Sequence, residues 1–322
     1  MLVEIRLKTA IRSAGRERMG IGAGLNIELV SVRTSDGVKL DGSLRTPDGS
    51  TPTTLGIDCV ILHHGTGGRF YGASPLHDRL SDRFLAHGVA VLRVNNRGHD
   101  LVYLGPNGLL GSGVETVGDC RHDWAAWNDF AEARGFRRIA LAGHSLGAVK
   151  TIYYLAEVPD PRVRCAIVTS PPRLSYRTYL SMEGSEQFAA DFERAQKLLA
   201  AGQPDVLFTP RVPIPVPHSA RNYVDKYGPV ERYDFFRFVS KVPVPMFMTV
   251  GDEGSQGPNW PFWFAFGTFR QEVPDLAART PLLTFEHILG ASHIYDAAAA
   301  DRVWAALGGW LETVIPPSSD SD

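Results

Sequence analysis

Alternating and continuous apolar runs divide most of this chain into short elements. Residues 27–33 and 38–45 alternate apolar and polar positions and flank the turn residues 34–37, which predicts an antiparallel hairpin. After the hairpin, strand-length apolar runs alternate with amphipathic segments of helical period. This order predicts a mostly parallel sheet with right-handed crossovers. The predicted strands are 57–63, 89–94, 136–142, 163–169, 244–250 and 282–288, and the predicted helices are 74–87, 119–133, 148–156 and 296–311.

A glycine-flanked serine lies between two of these elements. Residues 143–147 read Gly-His-Ser-Leu-Gly, directly after strand 136–142 and before helix 148–156. The glycines permit a sharp turn, so the hydroxyl is held out at the carboxyl end of the sheet. A strand, a turn and a helix in this order predict a nucleophile elbow with Ser145 as the nucleophile. In these residues the chain resembles the α/β-hydrolase superfamily, in which this is a common lipase and esterase form of the elbow.

The resemblance implies an α/β-hydrolase fold, with the N-terminal hairpin antiparallel, the rest of the sheet mostly parallel and helices on both faces. The alternation stops at residues 173–241, which contain one predicted helix at 186–201. About 70 residues without a core strand exceed an ordinary connection, whose median is about 4 to 6 residues. We interpret them as a cap inserted before the last strands, with an elaboration of loops as the alternative. The predicted parts are an extension at 1–26, a core at 27–172 and 242–315, the cap at 173–241 and a disordered tail at 316–322.

A serine hydroxyl is a weak nucleophile and needs a base, together with a group that orients that base. In the superfamily these follow in the order serine, acid, histidine. His293 ends a Gly-Ala-Ser-His turn after the last predicted strand, which resembles the catalytic histidine loop of the family. We therefore predict His293 as the base.

The acid is ambiguous in this sequence. The family commonly places it after the next-to-last strand, as the last residue of a G-x-x-D pattern, but that position is Gly254 here. Asp252 and Glu253 follow Gly251 instead, and the side chain of either could reach His293. We prefer Asp252 narrowly and keep both as candidates.

Negative charge that develops on a carbonyl oxygen needs preorganised donors. One is predicted to be the backbone N–H of Leu146, at the start of the helix after the serine. The loop at 64–68 reads His-Gly-Thr-Gly-Gly and resembles the family's oxyanion loop. It places the second donor at Thr66, with Gly65 and Gly67 as alternatives.

Other polar residues near these motifs have structural interpretations. Arg97 belongs to an Arg-Gly turn that resembles the one beneath the family's active site, and we interpret it as structural. For His63, His99 and His144 we favour a hydrogen-bonding role over proton transfer. Lys150 is predicted to lie on the surface of its helix.

Composition excludes several other classes of protein. The 322 residues include 44% hydrophobic and 21% charged residues, with a net charge of -2, so neither nucleic acid nor a membrane is predicted as a partner. No apolar run reaches the ~18 residues that span a bilayer. The odd cysteine count (Cys59, Cys120 and Cys165), the absence of a secretory leader and the absence of metal-binding motifs predict reduced thiols, a cytoplasmic location and no metal or cofactor. The predicted partner is a small-molecule substrate, and the oligomeric state stays open.

Hydrolysis of carboxylic esters through an acyl-enzyme on Ser145 is the activity that the resemblance implies. The cap and the aromatic residues at 260–263 favour small or medium, mainly apolar substrates. One alternative uses the same triad for thioester, amide or carbon–carbon bond hydrolysis, or for acyl transfer. The other is a non-catalytic ligand-binding protein that kept the fold, which the displaced acid would explain.

Overall fold

The structure, a computed structural model, describes residues 27–49, 51–105, 108–251 and 263–317. These residues form twelve strands, nine α-helices and three short 3-10 helices. The strands are β1 (Ile27–Arg33), β2 (Lys39–Arg45), β3 (Cys59–His63), β4 (Ala90–Val94), β5 (Tyr103–Gly105), β6 (Gly108–Leu110), β7 (Ile139–His144), β8 (Val163–Thr169), β9 (Leu207–Phe208), β10 (His218–Ser219), β11 (Met246–Gly251) and β12 (Leu283–Ile288). The helices are α1 (Pro75–Ala86), α2 (Cys120–Ala133), α3 (Leu146–Glu157), α4 (Tyr176–Ser181), α5 (Ser185–Ala200), α6 (Ala220–Tyr227), α7 (Trp263–Phe266), α8 (Phe269–Ala278) and α9 (Ala297–Val314).

Eight strands form the central sheet, in the order β1-β2-β4-β3-β7-β8-β11-β12. The pairs β1–β2 and β2–β4 are antiparallel, and every pair from β4 to β12 is parallel. The predicted N-terminal hairpin and parallel sheet are confirmed. Because the carboxyl ends of parallel strands share one edge of the sheet, the loops after β3, β4, β7, β8, β11 and β12 converge there.

Helices cover both faces of the sheet, as predicted. Trp124 and Trp127 of α2 and Ile152 of α3 pack with one set of strand side chains. On the other face, Phe84 of α1 and Leu307 of α9 pack with the alternate set. All residues of β3 are buried, because alternate side chains of a central strand point to opposite covered faces. This rigid centre supports the loops at the carboxyl edge.

The segment at 173–241 lies between β8 and β11 in the chain. Aromatic side chains of α4, α5 and α6 form a cluster that also includes Leu146 and Val149 of α3. The predicted helix at 186–201 is confirmed as α5. Helices α4 and α6 could not be predicted from the sequence, because 6 and 8 residues make too few turns to establish a helical period.

Most predicted boundaries agree with the structure to within a few residues. Ser74 caps α1 through its side chain, and Pro75 is the first residue of the helix. The region at 101–118 contains the small antiparallel pair β5–β6. The three cysteines are buried and free. None of the described helices is long and apolar enough to cross a membrane. The predicted extension at 1–26 lies outside the described residues, as does the tail from residue 318 onward.

Arg97 joins the N-terminal hairpin to α2 beneath the carboxyl edge. Its guanidinium donates to Asp36 Oδ2 at 2.7 Å and to Asp123 Oδ1 at 2.9 Å, and its backbone N–H donates to Asp123 Oδ2 at 2.9 Å. Asp123 is fully buried, and burial raises the pKa of its carboxyl while Arg97 opposes that rise. The structural role predicted for Arg97 agrees with these contacts.

We expect Arg97→Ala to destabilise the protein by about 3–5 kcal/mol, because it leaves the Asp123 carboxyl buried without its cation. Denaturant unfolding at neutral pH measures this loss. Arg221→Ala, which breaks an exposed pair with Asp205, is the control and should cost less than about 1 kcal/mol. Equal losses for the two variants would contradict the structural role.

Candidate active site

The turn between β7 and α3 holds Ser145 in a strained conformation. Its φ is 55° and its ψ is -125°, a region that residues with a side chain rarely adopt. The backbone N–H of Ser145 donates to the carbonyl of Thr169 in β8 at 2.8 Å, which anchors the turn to the neighbouring strand. The backbone therefore has the shape expected of an elbow.

Both glycines of the turn are required by close backbone contacts. A Cβ on Gly143 would overlap the carbonyl group of Gly147. A Cβ on Gly147 would in turn overlap the carbonyl oxygen of His64, the residue that follows the neighbouring strand β3. The spacing of the motif thus follows from how tightly α3 turns back against the sheet.

His293 reaches the serine from the loop after β12. Its Nε2 lies 3.0 Å from Ser145 Oγ, although 148 positions separate the two residues in the chain. A neutral imidazole can accept the serine proton at this distance. The structure thus brings together the two residues that the sequence predicts as nucleophile and base.

Tyr295 fixes the histidine loop to the sheet. Its hydroxyl accepts from Ser170 Oγ at 3.0 Å and lies 2.9 Å from Thr249 Oγ1, so it joins the loop to the ends of β8 and β11. The ring is fully buried, and burial raises the pKa of the phenol to about 12. Sequence reasoning missed Tyr295, because no motif marks it and only its position two residues after His293 hints at a role.

The ring of His293 is enclosed by other rings. Its centroid lies 4.9 Å from that of His144 and 4.8 Å from that of Phe266. Burial, and secondarily the nearby His144, lowers the pKa of His293 well below 6.5. The imidazole is therefore neutral, and able to accept a proton, over a wide range of pH.

We predict that kcat/KM falls on the acid side only below pH 6.5, because a histidine base must be neutral and the pKa of His293 is lowered from 6.5. Initial rates are measured across pH at saturating substrate, which gives kcat, and at substrate well below KM, which gives kcat/KM. A midpoint of the acid limb at or above pH 6.5 would contradict the lowered pKa of His293.

Asp252 and Glu253, the two candidate acids, lie outside the described residues. The residue before them, Gly251, ends β11 against the histidine loop, where an added Cβ would lie 2.5 Å from the carbonyl oxygen of Ala291. The chain therefore leaves β11 beside the loop that bears His293. Which carboxylate orients the histidine stays a prediction.

The predicted oxyanion residues surround the serine. Gly65 lies so close that an added Cβ would be 2.7 Å from Ser145 Cβ. Gly65, Thr66 and Leu146 line the cavity above the serine, whereas Gly67, with φ 62°, lies beneath Leu101. Among the described residues the backbone N–H groups of Thr66 and Leu146 have no acceptor. These two groups are thus available to a ligand, and that of Leu146 lies at the positive end of a helix dipole.

A cavity of about 580 Å³ opens above Ser145 and His293. This volume is within the range of about 300–1,000 Å³ typical of small-molecule sites. Residues 213–216, from the segment at 173–241, contribute to its wall together with Leu174, Tyr179 and Phe266. The surface that a ligand would contact is therefore mainly apolar.

Few charged side chains occur among the described residues that line the cavity. Arg69 is the one Lys, Arg, Asp or Glu among the described residues of its lining, and it is paired with Asp100. Burial lowers the pKa of His64 to about 3 and that of His144 to about 4, so both are neutral at pH 7. No group of three metal-ligating side chains occurs in the part of the chain that the structure describes. The described lining suits an uncharged ligand.

Two expectations about nearby residues are wrong. Lys150 is not on the helix surface but is 1% exposed, because its ammonium is paired with the buried Glu115. His63 stacks on Trp124 with ring centroids 3.8 Å apart, and neither ring nitrogen has a hydrogen-bond partner among the described residues. His99 and His144 do have the expected bonds, to Asp100 and Tyr103 and to Thr169 respectively.

The chain was compared with known families and proteins. Residues 60–319 match the family model described as the alpha/beta hydrolase family. No curated protein sequence matches the chain.

Many solved structures are similar to this one. The esterase Pf2001 of Pyrococcus furiosus is 18% identical with a TM-score of 0.54, over 91% of this chain and 94% of that one. Est1E from Butyrivibrio proteoclasticus is 19% identical with a TM-score of 0.56, over 89% and 98%. The alpha/beta hydrolase GrgF from Penicillium sp. sh18 is 17% identical with a TM-score of 0.61, over 90% and 99%. At these identities the similarity shows the fold alone, and it confirms the predicted fold class.

Proposed function

Because the chain belongs to the alpha/beta hydrolase family, we propose that it is a serine hydrolase that cleaves carboxylic esters through an acyl-enzyme on Ser145. One observation carries the proposal: His293 Nε2 lies 3.0 Å from Ser145 Oγ, next to an apolar cavity. The strained backbone of Ser145 adds support, because strain of this kind concentrates at functional sites.

In the proposed reaction His293 accepts the hydroxyl proton while Ser145 Oγ bonds to the carbonyl carbon of the ester. The carbonyl oxygen becomes negatively charged and accepts hydrogen bonds from the N–H groups of Thr66 and Leu146. The tetrahedral intermediate then expels the alcohol, which takes the proton from His293. Water then attacks the acyl-enzyme while His293 accepts its proton. The second tetrahedral intermediate breaks its bond to Ser145 Oγ, which takes that proton from His293, and the carboxylic acid is released. A carboxylate from Asp252 or Glu253 would orient the imidazole throughout.

We propose uncharged substrates with an apolar acyl or alcohol group. The lining supplies apolar contacts, including Leu174 and Ile214, and its one described charge is already paired with Asp100. A substrate carboxylate would lose its hydration there without gaining a free cation. In this proposal residues 173–241 act as a cap, because their proline-rich part forms one wall of the cavity.

The test is a matched pair of esters with the same leaving group, p-nitrophenyl butanoate and p-nitrophenyl hemisuccinate. We expect kcat/KM to favour the uncharged butanoate by at least about tenfold, since burying an unpaired carboxylate is costly. A β-diketone and an acyl-CoA are assayed beside them. Turnover of either one without any ester turnover would contradict ester hydrolysis as the activity, and a preference for the hemisuccinate would contradict the substrate class.

A further inference from the structure

A buried ion pair lies behind the candidate oxyanion loop. Lys150 Nζ and Glu115 Oε2 are 2.6 Å apart, and the two side chains are only 2% and 1% exposed. Such pairs are a poor source of stability, because removing both charges from water can cost more than their attraction returns. Lys150 lies on α3, the helix that also begins with Leu146. Its position suggests a role in the adjacent site.

Lys150 also holds the side chain of Asn96. Its ammonium donates to Asn96 Oδ1 at 2.7 Å, and the backbone N–H of Gly98 donates to the same oxygen at 2.8 Å. Both groups can only donate a hydrogen bond, so the Asn96 side-chain oxygen must face them. The orientation of the amide is therefore fixed. The amide nitrogen, Nδ2, faces the carbonyl oxygen of His64 at 3.4 Å.

The backbone of Asn96 sets the tautomer of His64. The Asn96 N–H donates to His64 Nε2 at 3.3 Å, so this nitrogen is unprotonated and the proton of the neutral ring is on Nδ1. Nδ1 lies 2.8 Å from the carbonyl oxygen of Gly65 and donates to it. Burial holds the pKa of His64 at about 3, which keeps the ring in this neutral form.

The carbonyl of Gly65 is held from two sides, since the N–H of Gly68 also donates to it at 3.1 Å. In a trans peptide the N–H of the next residue points opposite to the carbonyl. Fixing the Gly65 oxygen toward His64 thus turns the N–H of Thr66 the other way, and Thr66 lines the cavity.

We propose that Lys150, Asn96 and His64 are positioning residues that aim the Thr66 N–H at the developing oxyanion and hold it in register with Leu146. The inference rests on the proposed hydrolase function. Lys150 and Leu146 share α3, so the chain of bonds joins the helix that bears one donor to the loop that bears the other. Glu115 holds the ammonium of Lys150 in place through the bond of 2.6 Å to its carboxylate.

The central test is Asn96→Ala. We expect kcat for p-nitrophenyl butanoate to fall by about 10- to 100-fold with KM changed less than about threefold, because a misplaced oxyanion donor affects the transition state more than the bound ester. Affinity for phenylboronic acid, which forms a tetrahedral adduct with an active serine, should fall in parallel with kcat/KM. Asn128→Ala is the control. Asn128 is also fully buried, but its amide donates to Tyr154 on α3 and to Asp160 in the loop after α3.

Two more variants separate positioning from a loss of folding. Asn96→Asp keeps an acceptor for Lys150 and Gly98 but loses the N–H that faces the His64 carbonyl, and it should show the same drop in kcat in a folded protein. Lys150→Met is compared with Lys226→Met, which removes another buried ammonium whose bond is to the Ser112 carbonyl. Only the Lys150 variant should lose kcat and boronate affinity together.

The outcomes distinguish the inference from the function on which it rests. Wild-type protein that neither turns over esters nor binds the boronate overturns the proposed function, and the inference with it. Active wild-type protein with an unchanged kcat in folded Asn96→Asp overturns the inference alone. Equal losses in the Asn96 and Asn128 variants would mean a general effect of buried amides and would also overturn it.

Discussion

Ser145→Ala is expected to lower kcat for ester hydrolysis by about 10⁴- to 10⁶-fold, the range found when the nucleophile of a serine hydrolase is removed. The reason is that no other group in the described cavity combines a hydroxyl with a base, whereas Ser145 Oγ lies 3.0 Å from His293 Nε2. Alanine keeps the Cβ and the backbone, so folding should be unchanged. Initial rates with p-nitrophenyl butanoate, beside thermal unfolding of both proteins, measure the two effects.

Ser145→Gly tests the strain at the same position. With φ 55° and ψ -125°, the serine has a backbone conformation that glycine adopts with much less strain. We expect this variant to be as inactive as the alanine variant but more stable than wild type by about 1 kcal/mol, since strain of this kind costs about 1–3 kcal/mol and glycine has a larger entropy loss on folding. Denaturant unfolding of the three proteins ranks them. A glycine variant less stable than the alanine variant would contradict the strain.

His293→Ala is the second large effect, with an expected loss of kcat of about 10⁴- to 10⁶-fold, because the serine hydroxyl would then have no base. The matched control is His144→Asn, which removes a neighbouring imidazole whose ring is 4.9 Å away and whose Nδ1 bonds to Thr169. We expect that control to lose less than about tenfold, since His144 does not contact the serine hydroxyl. A larger loss in the His144 variant would contradict the assignment of His293 as the base.

The two catalytic substitutions should not add. In the proposed reaction Ser145 and His293 act as one unit, so the double variant Ser145→Ala, His293→Ala should be about as slow as either single variant. Rates of all three variants, with the same ester and at the same pH, complete this cycle. A double variant slower than the singles by the product of both losses would contradict the shared role of Ser145 and His293.

Local chemistry explains how much of the site could be predicted. Ser145 lies in a turn with a glycine two positions before it and another two positions after it, and His293 ends a short turn after the last predicted strand, so each is marked within about ten residues of sequence. The sheet was predictable for the same reason, because most of its central strands are short, mainly apolar runs bounded by turn residues. No motif and no apolar pattern identifies the residues that connect these parts.

Lys150 and Tyr295 show why the rest could not be predicted. A lone lysine in a helix is usually exposed, and the partner that buries Lys150 is Glu115, 35 positions away in an irregular segment. Tyr295 bonds to Ser170 and Thr249, which only the assembled sheet brings together. Tertiary placement decides such contacts, and neither periodicity nor motif spacing encodes it.

The wall of the cavity illustrates the same limit. Its proline-rich part, residues 213–216, has no period of two or 3.6, so the sequence predicts a cap without showing which residues reach the serine. The structure places Ile214 beside Leu174 and Tyr179 in the lining. The apolar character of the cavity follows from this packing, and the proposed preference for uncharged esters follows from the cavity.

The measurement that tests the central claim most directly is the intact mass of the protein after exposure to a fluorophosphonate, with Ser145→Ala treated in parallel. A fluorophosphonate reacts with a serine only where a base and an oxyanion site activate it. We predict one adduct per chain on wild-type protein and none on Ser145→Ala. Folded wild-type protein without an adduct, or an adduct that persists in Ser145→Ala, would contradict the assignment of Ser145 as an activated nucleophile.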